Sequence, residues 1–284
     1  MSWCRWPPIA SNQFGGLQVL VHALSTGSTV VATETFVPRS GLEAMVEHGV
    51  THASATPTYW RFVLAELAAT GGPTPTLRQI TLGGEAVPAD LLERLELTFP
   101  DARITQIYGA TEFGNISVRD RANGLPLAEL STQKNVELKV EDGQLWSRSR
   151  VGMLGYYGEE PLDLDAWRPT GDLVEIVGDR VMFRGRESEV INVGGVKVHP
   201  LPVEERVSRL PEVQMVRVFG RRNALTGAIV AVEVIPSPGA DKDELDARIR
   251  EACADLPPAA QPRSIRFVET MATTGNKLSR STNA

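Results

Sequence analysis

The sequence predicts an α/β protein in which a parallel-type sheet with helices precedes a small β-barrel and a small α+β domain. Helical and strand patterns alternate over the first 110 residues, which favours parallel strands joined by helices. Short antiparallel hairpins follow from about residue 130, and a mixed pattern of about 100 residues, the usual size of a compact domain, ends the chain. We therefore divide the chain into residues 1–130, 131–185 and 186–284, with the last boundary near Gly185-Arg186-Glu187-Ser188.

The first unit opens with a helix, a strand and a second helix. Residues 17–24 are apolar at helical spacing, and the β-branched stretch TVVAT at 29–33 predicts a short strand. Ser40 and Glu43 match a capping box, so we expect a helix to begin there and to end at Gly49.

The alternation continues to residue 109. The predicted elements are a weak strand at 51–55, a helix at 59–69, a strand at 78–84, a helix at 91–99 and a strand at 102–109. Ligands of such sheets bind outside the carboxyl ends of the strands. The glycine turns after the last two strands are therefore the expected place for a ligand site.

The middle and last parts have a different pattern. Asp142-Gly143 and Gly178-Asp179 are turn signals inside two predicted hairpins, at 135–149 and 173–185. The remaining predicted elements are a helix at 202–210, strands at 213–219 and 228–235, a helix at 245–256 capped by Asp241, and a strand at 265–268.

Composition excludes several classes of function. The formal net charge of −6 gives no electrostatic support for binding nucleic acid, and no apolar run approaches the roughly 18 residues that span a membrane. Cys4 and Cys253 lie far apart, and the N-terminus lacks the pattern of a signal peptide. We therefore expect free thiols in a reducing cytoplasm. No cluster has zinc-ligand spacing, and the four histidines are expected to be structural: His22, His48, His52 and His199.

Five short motifs occur in one order along the chain. They are Gly83-Gly84-Glu85, Tyr108-Gly109-Ala110-Thr111-Glu112, Thr170-Gly171-Asp172, Gly185-Arg186 with INVGGVKVHP at 191–200, and Thr274-Gly275-Asn276-Lys277. Taken singly, each motif also has a purely structural explanation. Tyr108 fits a core aromatic, Arg186 a surface ion pair, and residues 191–200 a turn between two strands.

The ordered set resembles the adenylate-forming superfamily, which includes acyl-CoA synthetases, luciferase and the adenylation domains of peptide synthetases. The resemblance covers about residues 9–280, and it matches the back part of the large N-terminal domain and the whole small C-terminal domain. It implies a partial adenylate-forming fold. It also implies an AMP-forming ligase that activates a small carboxylic acid with ATP and passes the acyl group to the thiol of coenzyme A or of carrier-protein phosphopantetheine.

The resemblance assigns catalytic roles to three residues. The first step brings an anionic carboxylate against an anionic phosphate, so positive charge must be placed between them. Lys277 is expected to bridge the two groups, and Thr111 to bond the α-phosphate. Glu112 is expected to hold Mg²⁺, a hard cation that favours carboxylate oxygen.

The resemblance also assigns the nucleotide and thiol sites. Tyr108 is expected to stack on adenine, whose other face meets the backbone of Gly83 to Glu85 because glycine permits close approach. Asp172 is expected to bond both ribose hydroxyls, and Arg186 to support the ribose. The cofactor-binding set implied by the family is Gly83, Gly84, Glu85, Tyr108, Gly109, Asp172, Arg186, Gly194 and Gly195, the last two lining the pantetheine path.

The chain departs from the family pattern in three places. Ser188 stands where the hinge residue is usually Asp or Lys, and Asn276 stands where glycine is usual. The Ser/Thr/Gly-rich loop that cradles the β- and γ-phosphates of ATP is not found. The nearest stretch, STGSTV at 25–30, lacks its lysine, and we expect it to be the C-terminal turn of a helix.

These departures leave three functional hypotheses open. The chain is a truncated or split ligase, or it keeps only the transfer of a preformed adenylate to a thiol, or it is a non-catalytic relic that binds a nucleotide or a partner. A missing front segment would bare part of the packing surface. We therefore expect self-association or a second polypeptide that supplies the segment.

Overall fold

The computed structural model describes residues 4–6, 14–33, 35, 37–118, 122–131, 135–271, 273–274 and 277–278, with the backbone alone for 4–6, 273–274 and 277–278. The chain divides into two compact units. The first comprises Met1–Thr170 with Ile176–Met182, and the second Gly171–Glu175 with Phe183–Ala284. The finer division at residues 130 and 185 stays a prediction.

Strands and helices alternate at the start of the first unit, as predicted. In chain order the elements are β1 (Cys4–Trp6), α1 (Phe14–Thr26), β2 (Thr29–Val30), α2 (Pro38–Glu47), β3 (His52–Ala55), α3 (Pro57–Thr70), β4 (Gln79–Gly83), α4 (Ala89–Thr98), β5 (Arg103–Ala110) and β6 (Gly114–Val118). Their strands form one sheet of order β2-β1-β3-β4-β5-β6. All neighbours pair in parallel except β5 and β6, which form an antiparallel edge.

Helix α3 shows how local sequence fixes an element of this unit. Thr56 caps it by accepting a hydrogen bond from the amide of Tyr59, and Pro57 occupies the first turn, where a missing amide costs nothing. Gly71 ends the helix with φ of 58°, a left-handed conformation that glycine adopts freely. Trp60 on this helix is 1% exposed and contributes to the core between helices and sheet.

Two predicted boundaries in this unit are wrong. Helix α2 begins at Pro38 rather than at Ser40, because proline at the first helical position fixes φ in the helical range and Ser40 lies inside the helix. The strand expected over 29–33 keeps only Thr29–Val30. The expectation for STGSTV is confirmed, since α1 ends at Thr26 and Gly27 turns the chain with φ of 62°.

The two predicted hairpins lie in a second sheet. Its strands are β7 (Leu125–Pro126), β8 (Val136–Glu141), β9 (Gln144–Ser149), β10 (Arg168–Val177) and β11 (Arg180–Arg186), in the order β7-β11-β10-β9-β8. Asp142 and Gly143 both have positive φ, 50° and 73°, and they close the two-residue turn between β8 and β9.

The second unit combines a sheet with two helices. Its elements are β12 (Ile191–Val193), β13 (Val196–Val198), α5 (Pro200–Ser208), β14 (Val213–Asn223), β15 (Gly227–Pro236), α6 (Lys242–Ala252), β16 (Ser264–Phe267), β17 (Thr273–Thr274) and β18 (Lys277–Leu278). The sheet order is β13-β12-β15-β14, and β16 pairs with β15 in parallel. Asp241 caps α6, as predicted, by accepting hydrogen bonds from two backbone amides.

Two expectations drawn from the sequence can be compared with the structure. In the residues that the structure describes, no helix has the length and apolar character needed to cross a bilayer. Cys253 is a free thiol buried in the second unit, as expected, and its burial raises the pKa of the thiol. The side chain of Cys4 lies outside the described residues, and the cytoplasmic location stays a prediction.

Candidate functional site

The glycine turn after β4 lies at the carboxyl edge of the first sheet. Gly83 pairs with Ile107 of β5, and a Cβ on Gly83 would stand 3.2 Å from the Ile107 carbonyl oxygen. Gly84 follows with φ of 85°, which disfavours any residue with a side chain. These glycines let the chain turn tightly against β5.

Glu85 has a structural contact that the sequence did not predict. Its carboxylate accepts hydrogen bonds from the amide and the hydroxyl of Thr58, both at 3.0 Å. Thr58 lies in the first turn of α3, where amides have no helical partner and negative charge is stabilising. The side chain of Glu85 thus fixes the turn after β4 to the start of α3, which leaves its backbone for the predicted contact with adenine.

The motif at 108–112 begins inside a strand. Tyr108 pairs with Ile116 and Gly109 with Asn115, so only residues 111–113 form the turn between β5 and β6. A Cβ on Gly109 would lie 2.6 Å from the carbonyl oxygen of Gly114, closer than real Cβ atoms approach. Gly109 is therefore required by the close pairing of this hairpin, whatever it contributes to a ligand.

The tip of this hairpin presents the polar groups. Thr111 and Glu112 are exposed, whereas Phe113 behind them is 4% exposed. The half-buried ring of Tyr108 packs on Phe113, with ring centroids 5.5 Å apart at a tilt of 33°. The turn therefore holds a hydroxyl and a carboxylate in solvent, on a base anchored by an aromatic pair.

The described residues contain no group of three or more His, Cys, Asp or Glu side chains placed to hold a metal ion. Mg²⁺ usually takes one or two protein carboxylates and completes its shell with water and substrate phosphates. The exposed carboxylate of Glu112 is an oxygen donor of the kind that Mg²⁺ takes.

In the second unit the structure brings together two predicted ribose ligands. Nε of Arg186 lies 3.0 Å from Oδ1 of Asp172, and the Asp172 side chain is 14% exposed against 55% for Arg186. Gly185, which precedes Arg186 in β11, has φ of 119°. The pair orients the carboxylate of Asp172, while the guanidinium of Arg186 stays accessible.

Residues 191–198 form two short strands joined by a turn, which is the purely structural explanation of this motif. Gly194 and Gly195 join β12 to β13 with φ of 59° and 92°, and Asn192 accepts a hydrogen bond from the Gly195 amide at 2.8 Å. His199 precedes α5, and burial, followed by the charges of Arg184 and Lys197, lowers the pKa of its imidazole. His199 is thus held in its neutral form at neutral pH.

Three further positions complete the comparison with the sequence analysis. The backbone of Lys277 pairs with Thr274 across β17 and β18, but its side chain and the whole of Asn276 lie outside the described residues. Ser188 is exposed within a short 3-10 turn, Glu187–Glu189. The predicted roles of Lys277 and Ser188 stay predictions.

Gly152 packs against the backbone of Glu112 and was not predicted to be a site residue. Gly152 lies 40 positions from Glu112 and belongs to none of the five motifs. The only signal was an isolated glycine just beyond a strand, which is consistent with close backbone approach but does not identify the partner.

Two protein families match the chain. The family described as "AMP-binding enzyme" matches residues 10–157, and the one described as "AMP-binding enzyme C-terminal domain" matches residues 202–277. Among curated proteins, a methyl-dioxo-octahydroindenyl-propanoyl:CoA ligase of Mycobacterium tuberculosis is 27% identical over 280 residues. A medium/long-chain-fatty-acid–acyl-carrier-protein ligase of the same species is 25% identical over 310 residues.

The alignments cover nearly all of this chain but only part of each relative. These two alignments cover 92% and 94% of this chain and 53% and 56% of the relatives, so the chain spans about half their length. An anthranilate CoA ligase solved with anthranoyl-AMP superposes with a TM-score of 0.82 at 22% identity, covering 97% of this chain and 58% of that one. That likeness establishes the fold, including its partial extent. Since the AMP-binding enzyme family matches more than half of the chain, the resemblance drawn from the five motifs is confirmed, and the chain belongs to that family.

Proposed function

We propose that this chain takes part in an AMP-forming acid–thiol ligase reaction. A carboxylic acid and ATP form an acyl-adenylate and pyrophosphate, and a thiol then displaces AMP to give a thioester. The activities for which the two curated relatives are named, CoA ligation and acyl-carrier-protein ligation, support this class of reaction. The observation that carries the proposal is the exposed Thr111-Glu112 turn at the carboxyl edge of a parallel sheet, one strand away from the Gly83-Gly84 turn.

In the first unit, Tyr108 and Gly83-Gly84 would hold adenine. The half-buried Tyr108 can offer a ring face, and the glycines have no side chain to prevent close approach of a base. The Thr111 hydroxyl would donate to the α-phosphate. Glu112 would ligate Mg²⁺, which when bound neutralises phosphate charge.

In the second unit, Asp172 would accept hydrogen bonds from the ribose hydroxyls. Its contact with Arg186 orients it, and the exposed part of Arg186 is available to the nucleotide. Lys277 would bridge the carboxylate and the α-phosphate in the first step. Gly194 and Gly195 would line the path of a pantetheine thiol, carried either by coenzyme A or by a carrier protein.

The test begins with binding and then measures chemistry. Isothermal titration with AMP and with a stable acyl-adenylate mimic should show binding, and pyrophosphate exchange with a panel of carboxylic acids should show the first step. Lys277→Ala should abolish exchange and change binding only weakly. Glu112→Ala should lose exchange and the magnesium-dependent part of nucleotide binding. Glu93→Ala, which changes an exposed carboxylate on α4, is the matched control. Exchange that survives Lys277→Ala would contradict the role of Lys277.

Two narrower candidate functions can be separated from the full reaction by experiment. The first is the transfer of a preformed adenylate to a thiol, and the second is nucleotide binding without chemistry. Supplying a synthetic acyl-adenylate with coenzyme A or with a phosphopantetheinylated carrier protein separates these cases. Thioester formed without pyrophosphate exchange identifies the transfer activity, and nucleotide binding without either product identifies the binding protein.

We also propose that helix α1 is covered by another polypeptide, either a second copy or a chain equivalent to the remainder of the relatives. Leu17, Val21 and Leu24 lie at helical spacing and are 52%, 57% and 83% exposed, which forms an apolar stripe along α1. Light scattering after size exclusion should show an oligomer that Val21→Glu dissociates. A monomer at all concentrations would exclude the second copy.

A further inference from the structure

A short segment after β9 packs against the backbone of the Thr111-Glu112 turn. We call residues 151–153 the strap. The amide of Met153 donates a hydrogen bond to the carbonyl oxygen of Thr111 at 3.2 Å. On the other side of Gly152, Val151 lies so close to Gly114 that a Cβ there would stand 3.2 Å from a Val151 methyl carbon. The strap thus contacts the hairpin on both sides of Glu112 and Phe113.

Gly152 lies at the centre of this contact and leaves no room for a side chain. An ideal Cβ on Gly152 would stand 2.2 Å from the carbonyl oxygen of Glu112, 2.8 Å from its carbonyl carbon and 2.8 Å from Cα of Phe113. All three atoms belong to the backbone, so no rotamer change can relieve the overlap. The φ of Gly152 lies outside the left-handed range, and space rather than backbone conformation therefore requires glycine at this position.

Hydrogen bonds hold the strap and the residues that flank it, Arg150 and Leu154. The Val151 amide donates to the hydroxyl of Ser149 at 3.1 Å, the Arg150 amide to the carbonyl of Asn135 at 3.1 Å, and the Leu162 amide to the carbonyl of Leu154 at 2.8 Å. The tip of the turn, in contrast, is exposed at Thr111 and Glu112. A side chain at position 152 would therefore displace the turn more readily than the strap.

We propose that Gly152 is a positioning residue for the Thr111-Glu112 turn. By leaving space for the backbone of Glu112, it sets the position from which the Glu112 carboxylate and the Thr111 hydroxyl would meet a magnesium-bound phosphate. The inference rests on the proposed function for the identity of the ligand, but the contact between strap and turn stands without it. A displacement of about 1 Å at a reacting group costs on the order of 10²-fold in rate. Gly152 therefore acts on the ligand through the backbone of Glu112, without touching the ligand.

The first experiment tests, without any ligand, whether the strap and the turn stay in contact. Amide hydrogen exchange of the intact chain should be faster at Met153 and Phe113 in Gly152→Ala than in the native protein, because the overlap separates strap and turn. Gly72→Ala is the matched control, since Gly72 also lies outside the left-handed range and its Cβ would meet its nearest neighbour at an ordinary 3.4 Å. Unchanged exchange in Gly152→Ala would overturn the proposal.

The second experiment measures the ligand by titrating ATP with and without Mg²⁺. Gly152→Ala should weaken the magnesium-dependent binding of ATP by roughly tenfold or more and leave magnesium-free binding unchanged, whereas Gly72→Ala changes neither. Faster amide exchange together with native magnesium-dependent binding of ATP would overturn the proposed effect of Gly152 on the magnesium site. If the native chain binds no nucleotide, the proposed function fails, and amide exchange alone still decides whether Gly152 positions the turn.

A second variant covers the case in which Gly152→Ala does not fold, which its tryptophan fluorescence would reveal. Val151→Ala keeps the glycine and removes only the contact with Gly114, and Val151 is 53% exposed, so folding is expected to survive. It should speed amide exchange at Met153 and weaken magnesium-dependent binding, both less than Gly152→Ala would. Native values in both measurements would overturn the proposal.

Discussion

The contact between Glu85 and Thr58 permits a sharp test of how the first unit is held together. Glu85→Ala removes two hydrogen bonds to a carboxylate and leaves the Thr58 amide without that partner, at a residue only 5% exposed. Loss of a helix N-terminal cap costs about 1 kcal/mol, and loss of a favourable charge at that end costs up to about 1 kcal/mol more. We therefore expect a destabilisation of about 2 kcal/mol.

The assay can be confined to the unit in question. All five tryptophans of the chain lie in the first unit, so intrinsic fluorescence during thermal or urea unfolding reports that unit. For a domain of 150–250 residues, about 2 kcal/mol corresponds to a fall of about 4–8 °C in Tm. Glu85→Gln keeps a carbonyl acceptor but no charge, and it should lose about half as much.

Glu93→Ala is the control for a lost carboxylate, because Glu93 is exposed on α4 and a surface change of this kind stays within about 0.5 kcal/mol. The reasoning would be refuted if Glu85→Ala matched this control. In that case the carboxylate does not stabilise the start of α3, and the turn after β4 must be fixed by the glycines and the sheet alone.

Three further predictions concern other parts of the fold. Gly109→Ala forces a Cβ to within 2.6 Å of a carbonyl oxygen in β6 and should destabilise the first unit by about 1–3 kcal/mol, measured by tryptophan fluorescence; native stability would contradict the tight pairing. Glu233→Gln removes the charge of the buried carboxylate that pairs with the buried guanidinium of Arg217, and it should destabilise the second unit by about 3 kcal/mol. The measurement is the rate at which Cys253 reacts with a thiol reagent in a chain whose Cys4 is replaced by serine, and this rate should rise. Because the pKa of His199 is lowered in the fold, the unfolded chain binds the proton first as pH falls below about 6.5. The second unit should therefore lose stability as the pH falls. His199→Gln should remove this dependence of stability on pH, and its persistence in the variant would exclude His199 as its cause.

The sequence predicted most of what depends on neighbouring residues. Alternating periodicities predicted the parallel sheet, Asp142-Gly143 predicted the hairpin turn that the structure contains, and Asp241 predicted the start of α6. The wrong start of α2 is also local. A capping box at Ser40 competed with a proline two positions earlier, and the proline prevailed because it fits the first turn without losing a hydrogen bond.

Contacts between distant residues could not be predicted in this way. Glu85 bonds Thr58 across 27 positions, and the motif containing Glu85 gives no indication of that partner. The antiparallel return of β6 was missed because a polar turn after a strand is equally compatible with a helix or with a loop. Asp172 and Arg186, both predicted to bind the ribose, contact each other. Their spacing in the sequence could not show this contact, because it depends on the register of β10 against β11.

The candidate site also shows why its motifs are rich in glycine. Its polar groups, Thr111 and Glu112, are exposed and contribute little packing, so their position must come from the backbone beneath them. Gly109 and Gly152 supply that position from two sides by allowing backbone contacts that any side chain would prevent. Substitution of either glycine should therefore affect both stability and ligand, whereas substitution of the exposed carboxylate should affect the ligand alone. Comparing the two kinds of variant separates the residues that build the turn from those that use it.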